Sequence, residues 1–482
     1  MPSYAKKFKQ DARRVTADLR QRQIIRTALH NYEIARDLRK AAFRDWPTAR
    51  QAAAGTKWEA INLLDQHLAA FADRIAERGT KVHWASTDRQ ACNIIIDIVR
   101  EIEAHSIIKS KAMTAEEIHL NGALERAGFE VVESDLGEFI VQLRHEAPYH
   151  IVFPSMHLTR GEIKELFQRE LGDAPSDNPE ELTMVARRVL RKKYLAADVG
   201  ITGANFAIAE TGMISITENE GNARLTAALP RTMITLLGIE KVLPRLEDLA
   251  LFLPMLATAG AGQMMTGYNT MYGGPRQPGE SDGPQEFHVV LLDNHRTRLL
   301  ADAEQRDALH CIRCGACLNV CPVFRNVGGH AYGTTYSGPI GSVITPHLRG
   351  LQNWKHLSIA SSLCGACTAA CPVKVDLHHH LLQNRRNAVQ QRLDPLYQRV
   401  AFRVFRWLVN GGRRFAIVGK LGRLALRLGI TRPFTRPWTA TRDLPPPPAQ
   451  SFRAWWAATQ TSRSPAGETA PAQQPPDGPT PR

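Results

Sequence analysis

Seven of the eight cysteines in this 482-residue chain lie between Cys311 and Cys371, and only Cys92 stands elsewhere. The N-terminus, MPSYAKKFKQDARR, is charged and runs into polar sequence without the apolar stretch of a secretory signal, so a cytoplasmic location is expected. In that compartment clustered thiols point to metal and not to disulfides, and a metal framework dictates the local fold around it. No run reaches the roughly 18 to 20 apolar residues of a membrane span. Hydrophobic, charged and aromatic fractions of 43%, 22% and 7% are those of an ordinary globular protein. At about 100 to 200 residues per domain, the length predicts two to four domains.

The spacing names the metal group. Cys311, Cys314, Cys317 and Cys321 followed by Pro322 read CxxCxxCxxxCP, the run of bacterial ferredoxins. Three thiolates two residues apart on a tight loop grip three corners of a cubane, and the fourth begins a helix and points toward a second cluster. Gly315, inside CIRCGAC, lets the backbone pass close to inorganic sulfide. The second group, Cys364, Cys367 and Cys371 before Pro372, reads SxxCxxCxxxCP, with Ser361 where a first cysteine would stand. Exchanging fourth cysteines gives one complete set, Cys311, Cys314, Cys317 and Cys371, and one incomplete set, Cys321, Cys364 and Cys367. The fourth iron of the second cluster is left to Ser361, to solvent or to a partner's ligand, or is absent, leaving a [3Fe-4S] cluster in the isolated protein. Zinc is the competing use of CxxC pairs, but the interleaved order and the proline after each last cysteine favour two iron–sulfur clusters. Cys92 shares one helical face with Ile95, Val99 and Ile102, which predicts a buried thiol.

Periodicity divides the chain. Residues 1–75 predict an N-terminal helical region, with apolar residues every three or four through RQIIRTALHNYEIARDLRKAAF and WEAINLLDQHLAAFADRIAERG. From 76 to 300, short apolar runs alternate with helices, the order of an α/β domain. KVHW, SIIKSKAM, FEVVESD, YHIVFP and RTMITLLGI read as the apolar runs, and FAIAETGMISITE as two short strands around Ala209 to Gly212. DRQACNIIIDIVREIE, AEEIHLNGALERAG, ELTMVARRVLRKKYLAAD and VLPRLEDLALFLPML read as helices. The cluster module spans 301–385, a basic helical extension 386–440, and a Pro-rich tail, expected to be disordered, 441–482.

Outside the cysteines the chemistry is less specific. Gly203, Gly212 and Gly221 with Glu210, Glu218 and Glu220 put carboxylates beside turns at strand ends, where α/β folds hold ligands, or where ordinary turns meet solvent. No GxGxxG opening a helix and no Walker motif is present, so no nucleotide cofactor is implied. TGYNTMYGGPRQPGESDGP predicts an exposed loop. Between the cysteine groups, His330, Tyr332 and Tyr336 are expected to pack, or else to line a surface near a cluster. Asp376 is the expected cap of the helix after Cys371, and His378, His379 and His380, about 100° apart around it, are expected on a solvated surface.

The net charge of +14 is local: thirteen basic residues face one acid, Asp394, between 384 and 440. A protein-wide nucleic-acid surface is therefore not implied. Two amphipathic helices split by Gly411 and Gly412, with Phe402, Phe405 and Trp407 beside Arg399, Arg403 and Arg406, predict that 395–436 meets an acidic partner or a membrane surface.

Three stretches, ITGANFAIAETGMISITENEGNARL, CIRCGACLNVCPVFRNVGGHAYGTTYSGPIG and SSLCGACTAACPVKVDL, resemble the lactate utilization protein B family, and the likeness covers nearly the whole chain. The resemblance implies an α/β LUD domain of the sugar-isomerase and CoA-transferase-like fold, a ferredoxin-type module and two [4Fe-4S] clusters on the seven cysteines. It implies an iron–sulfur subunit of an L-lactate dehydrogenase system that yields pyruvate, with a cysteine-rich iron–sulfur subunit and a second LUD-domain subunit as partners. Membrane contact through the basic segment would place the chain at the inner membrane face. The fold analogy leaves a rival: a self-contained CoA-transferase-like enzyme with Glu210 or Glu218 as nucleophile and structural clusters.

Overall fold

The computed structural model describes residues 3–173, 176–440 and 442–461. The chain divides into two compact units between Leu393 and Asp394. The first opens with four helices, α1 (Tyr4–Ala17), α2 (Leu19–Lys40), α3 (Trp46–Asn62) and α4 (Leu64–Ala76). Ser3, Asp18 and Asp45 cap the first three through side-chain oxygens that accept the N–H of Lys6, Gln21 and Thr48.

The α/β part follows with ten strands: β1 (Lys81–Ala85), β2 (Ser106–Lys109), β3 (Glu130–Glu133), β4 (Val199–Gly203), β5 (Phe206–Ile208), β6 (Met213–Glu218), β7 (Thr232–Gly238), β8 (Val242–Leu243), β9 (Tyr268–Tyr272) and β10 (Glu286–Leu292). Six form a parallel sheet in the order β1-β10-β7-β4-β2-β3. All seven residues of β7 are buried, as a central parallel strand covered by helices on both faces requires. A second sheet, β8-β5-β6-β9, is built on the antiparallel β5–β6 hairpin.

Four local expectations change. YHIVFP is not a strand: the N–H groups of Val152 and Phe153 donate to His150 Nδ1 at 3.0 and 3.2 Å, and Tyr149 N–H donates to the Pro154 carbonyl, so none is free for a ladder. The expected helix VLPRLEDLALFLPML begins only at Leu249, because Val242–Leu243 pairs with β5 as β8. The loop TGYNTMYGGPRQPGESDGP contains β9, which pairs antiparallel with β6. AEEIHLNGALERAG is two helices, Met113–Glu117 and Leu120–Arg126, broken at His119, whose φ is 54°.

The cysteine module packs on both preceding layers. Tyr4 stacks on Trp354 with centroids 4.4 Å apart, Arg22 donates to Asn326 at 2.8 Å, and Arg50 donates to the carbonyls of Cys371 and Thr368 at 2.9 and 3.2 Å. Two helices, Gly338–Arg349 and Leu351–Ile359, fill the long interval between the cysteine groups. The helices therefore share one hydrophobic core with the hairpin sheet and the cysteine loops.

In the second unit, helices Leu396–Val409 and Gly412–Arg427 stand on either side of Gly411, and none of their residues is buried. The expected disordered tail contains a helix, Phe452–Thr461, whose start is held by Ser451 Oγ accepting the Ala454 N–H at 3.2 Å. The rest of that tail, 462–482, lies outside the described residues.

Candidate metal centre

The two cysteine loops are backbone copies of one another. Arg313 and Leu363, just before Cys314 and Cys364, have φ of 61° and 55°, and Gly315 and Gly365, just after, both have φ of 79°. Left-handed backbone on either side of a cysteine turns successive N–H groups inward; at Gly315 an added Cβ would also meet His150 and Val152 at 3.2 Å. Each glycine leads into a short helix, Ala316–Asn319 or Ala366–Ala370, and then into the cysteine and proline that end the motif. The copy extends to one hydrogen bond. Arg313 N–H donates to Cys311 Sγ at 3.4 Å, and Leu363 N–H donates to Ser361 Oγ at 3.1 Å. Ser361 thus stands in its loop as Cys311 stands in the other, while Ser362 hydrogen-bonds the Cys364 thiol.

Electrostatics sorts the sulfurs. Burial raises the Cys314 thiol, and Cys371 and Cys311 raise it further; Cys371, pushed up to about 12 by burial, is raised further by Cys311. Cys317 is raised by burial and by Cys311 and Cys314, with Cys367 adding a smaller push. Cys367, pushed up to about 11 by burial, has Cys321 and Cys364 as neighbours. Cys364 alone is exposed, and the Ala366 N–H holds its thiol low. Backbone N–H groups of Ala316, Ile340, Phe324 and Val375 point at Cys314, Cys317, Cys321 and Cys371. Clustered, largely buried sulfurs ringed by amide donors fit thiolate-ligated iron–sulfur groups.

Beside Cys311 lies a buried charge network that periodicity does not reveal. Arg296, 1% exposed, donates to both oxygens of Glu117 at 2.9 and 2.7 Å and to Glu240 at 2.5 Å. Arg313 donates to the other Glu240 oxygen at 3.0 Å and stands 4.6 Å over the Tyr336 ring. Burial works against ionised Glu240, but Arg296 and Arg313 outweigh it and hold the carboxyl at about 2. Lys57 and Lys241, pushed by burial down to about 7 and about 8, complete the cationic side, and both feel Cys311. The one readable signal was position. Glu240 and Lys241 follow β7 at its C-terminal end, where parallel sheets gather ligands.

The remaining candidates disperse. Glu210 accepts the Leu246 N–H, and Glu218 accepts those of Ala223 and Arg224 at 2.6 and 2.9 Å, so turn geometry occupies both carboxylates. Glu220, pushed up to about 7 by burial and Asp135, accepts the Leu136 N–H. Tyr332 and Tyr336 are buried, the latter donating to Glu117 at 2.7 Å; His330 shares a hydrogen bond with the Ala147 carbonyl. The expectation of three solvated histidines is corrected. His380 is 2% exposed and pairs with Asp307 at 2.8 Å, because the helix turns it into the module. The His378 and His379 rings lie tilted by 34° with centroids 4.0 Å apart and share Asp376, which makes no capping hydrogen bond. Cys92 is buried, its thiol pushed up to about 11 by burial. No described helix is long and apolar enough to cross a membrane.

The LUD domain model matches residues 68–292, and the 4Fe-4S dicluster domain model matches 307–375. Two [4Fe-4S] clusters are accordingly the cofactors of this chain. A lactate utilization protein B from Bacillus velezensis is 44% identical over 426 residues, 86% of this chain and 88% of that protein. Others so named, from Oceanobacillus iheyensis and Bacillus subtilis, are each 42% identical, covering 90% and 87% of this chain and 93% and 89% of theirs. A solved DUF162-family protein from Deinococcus radiodurans aligns with 48% of this chain and 98% of its own at 15% identity and a TM-score of 0.26, too slight a likeness to weigh. At this identity and coverage, the chain belongs to the lactate utilization protein B family.

Proposed function

We propose that this chain serves lactate utilization as the electron-transfer subunit of a multi-component system oxidising L-lactate to pyruvate. Cys311, Cys314, Cys317 and Cys371 hold the first cluster, and Cys321, Cys364 and Cys367 hold the second, with Ser361 the candidate for its fourth ligand beside solvent or a partner's group. The observation that carries the reading is the division of the sulfurs into an interior group and one that reaches the surface at Cys364. Bound [4Fe-4S] clusters supply reversible one-electron steps at potentials that charge, hydrogen bonding and exposure set between about −700 and +450 mV. Two such sites match the two electrons a 2-hydroxy acid gives up in becoming a 2-oxo acid.

This chain's own residues hold, shield and bias those sites. The helices packed over the loops exclude water from the interior group, and Lys57, Lys241 and Arg313 around Cys311 favour the extra electron there. The exposure of Cys364 supports exchange with a partner at the second group. Partners are the other subunits of the system, a cysteine-rich iron–sulfur subunit and a second LUD-domain subunit. The arginine-rich surface of 395–436 is read as the face that meets an acidic partner.

The test is anaerobic purification, iron and sulfide assay, and EPR before and after reduction. About eight irons per chain and two reducible cubanes are expected. Zinc without sulfide, or potentials unable to accept electrons from lactate, would defeat the reading.

A further inference from the structure

One cavity among the described residues is lined by three carboxylates, Asp135, Glu218 and Glu220, and three cations, Lys111, Lys241 and Arg313, and two Arg313 nitrogens stay unpaired there. It has a volume of about 420 Å³, ample for a small organic ligand, and Lys111, Gly203, Lys241, Arg313, Cys314 and Tyr336 contribute to its wall. Gly203 ends β4 and Lys111 follows β2, so the cavity opens at the C-terminal edge of the parallel sheet, against the first cysteine loop.

Most polar groups in the lining are already spent. Glu218 and Glu220 accept backbone N–H groups, Asp135 accepts that of Glu138, the Lys111 ammonium donates to the Val152 carbonyl, and the Tyr336 hydroxyl donates to Glu117. Two cations remain. Arg313 is 9% exposed, and its Nε and Nη1 are buried without a partner, only Nη2 being engaged by Glu240. Lys241 is 8% exposed and makes no side-chain hydrogen bond among the described residues. A buried guanidinium with two nitrogens unpaired is costly, which implies an acceptor at Arg313, and Lys241 adds a second positive charge to the same wall. Balancing the thiolates does not by itself explain them. Lys57, which also feels Cys311, turns its ammonium to the carbonyls of Glu240 and Val242, whereas Lys241 and Arg313 both line open space.

We propose that this cavity binds a small carboxylate anion, with Arg313 and Lys241 as its counter-charges and Cys314 in its wall. The proposed lactate oxidation supplies the ligand's class, a 2-hydroxy- or 2-oxocarboxylate; the preference for an anion rests on the unpaired Arg313 nitrogens and the neighbouring Lys241. Charge-assisted hydrogen bonds from a guanidinium and an ammonium suit a carboxylate, and the cavity's remaining space suits its waters.

The experiment is anaerobic calorimetry on the full, iron-loaded chain with L-lactate, pyruvate, neutral lactamide and inorganic phosphate. Either acid is expected to bind saturably and lactamide not at all. Lys241→Met is expected to weaken binding by about tenfold or more at unchanged iron content. Ala204→Leu, which narrows the cavity and leaves both cations in place, is expected to weaken it as well and serves alone if the lysine variant does not fold. Pyruvate is also expected to shift the g-values of the reduced cluster signal, since Cys314 lines the cavity. Absence of heat with both acids, equal binding of lactamide, binding of phosphate only, or full affinity in the variants would overturn the site. Pyruvate binding without any lactate-driven cluster reduction would instead defeat the electron-transfer reading and leave the site standing.

Discussion

Replacing Arg296 with methionine tests whether the buried network beside the first cysteine loop stabilises the molecule as its geometry requires. The guanidinium is 1% exposed and satisfies Glu117 twice and Glu240 once. Methionine keeps most of the volume, so the loss is chiefly electrostatic. Glu117 would retain Asn294 and Tyr336, and Glu240 would retain Arg313. Removing one partner of a buried pair costs about 3–5 kcal/mol. With an unfolding entropy of about 2.1 cal/mol/K per residue over the 393 residues of the first unit, that is a fall in Tm of about 4–6 °C.

The pH dependence gives a second readout. Glu240 is held at about 2 in the folded protein against an ordinary 4.5, so its contribution is complete above about pH 5 and is lost as pH falls toward 2. Without Arg296, Glu240 keeps Arg313, but Glu117 keeps only neutral donors and burial raises its carboxyl, so the variant recovers stability on acidification. Melts followed by circular dichroism at pH 7.5 and 5.5, at matched iron content, should show the smaller deficit at pH 5.5. A Tm within about 1 °C of wild type, or a deficit that grows at pH 5.5, would refute the argument.

Three further outcomes are expected. Ser361→Cys should change the EPR spectrum of the second cluster and raise its iron retention, whereas an unchanged spectrum would show that position 361 does not face the cluster. Gly329→Ala would put a methyl 1.7 Å from the Tyr149 carbonyl oxygen, an overlap that only backbone movement relieves. A loss of about 3 kcal/mol or more, read as a lower Tm or soluble yield, is expected. Ending the chain at Leu393 should leave iron content, spectra and melting unchanged, because helices Leu396–Val409 and Gly412–Arg427 bury none of their residues. The same truncation should abolish any pull-down by anionic liposomes at low salt that the full chain shows.

The cofactor was legible because its determinants are local. Ligand spacing, the glycines after Cys314 and Cys364, and the terminal prolines sit within a few residues of one another. Even the serine substitution reads directly, and the structure adds that Ser361 receives the hydrogen bond that Cys311 receives in its own loop. Most helices and parallel strands were legible for the same reason, from period and apolar runs. YHIVFP was misread because it has the composition of a strand but gives its N–H groups to its own His150 ring. His380 was misread because helical spacing says how three histidines diverge and not which one a neighbouring module covers.

The sequence by itself determined the metal chemistry, the α/β alternation and the basic C-terminal surface, all properties of short windows. Only the tertiary structure decided that α1–α3 clasp the cysteine module and that Arg296 meets Glu117 across 179 residues of chain. It alone brings Lys241 and Arg313 to one cavity beside Cys314. A charged side chain encodes its sign and reach, but its partner is set by how distant segments pack, and burial then determines whether that charge is neutralised, shifted or left to bind something else.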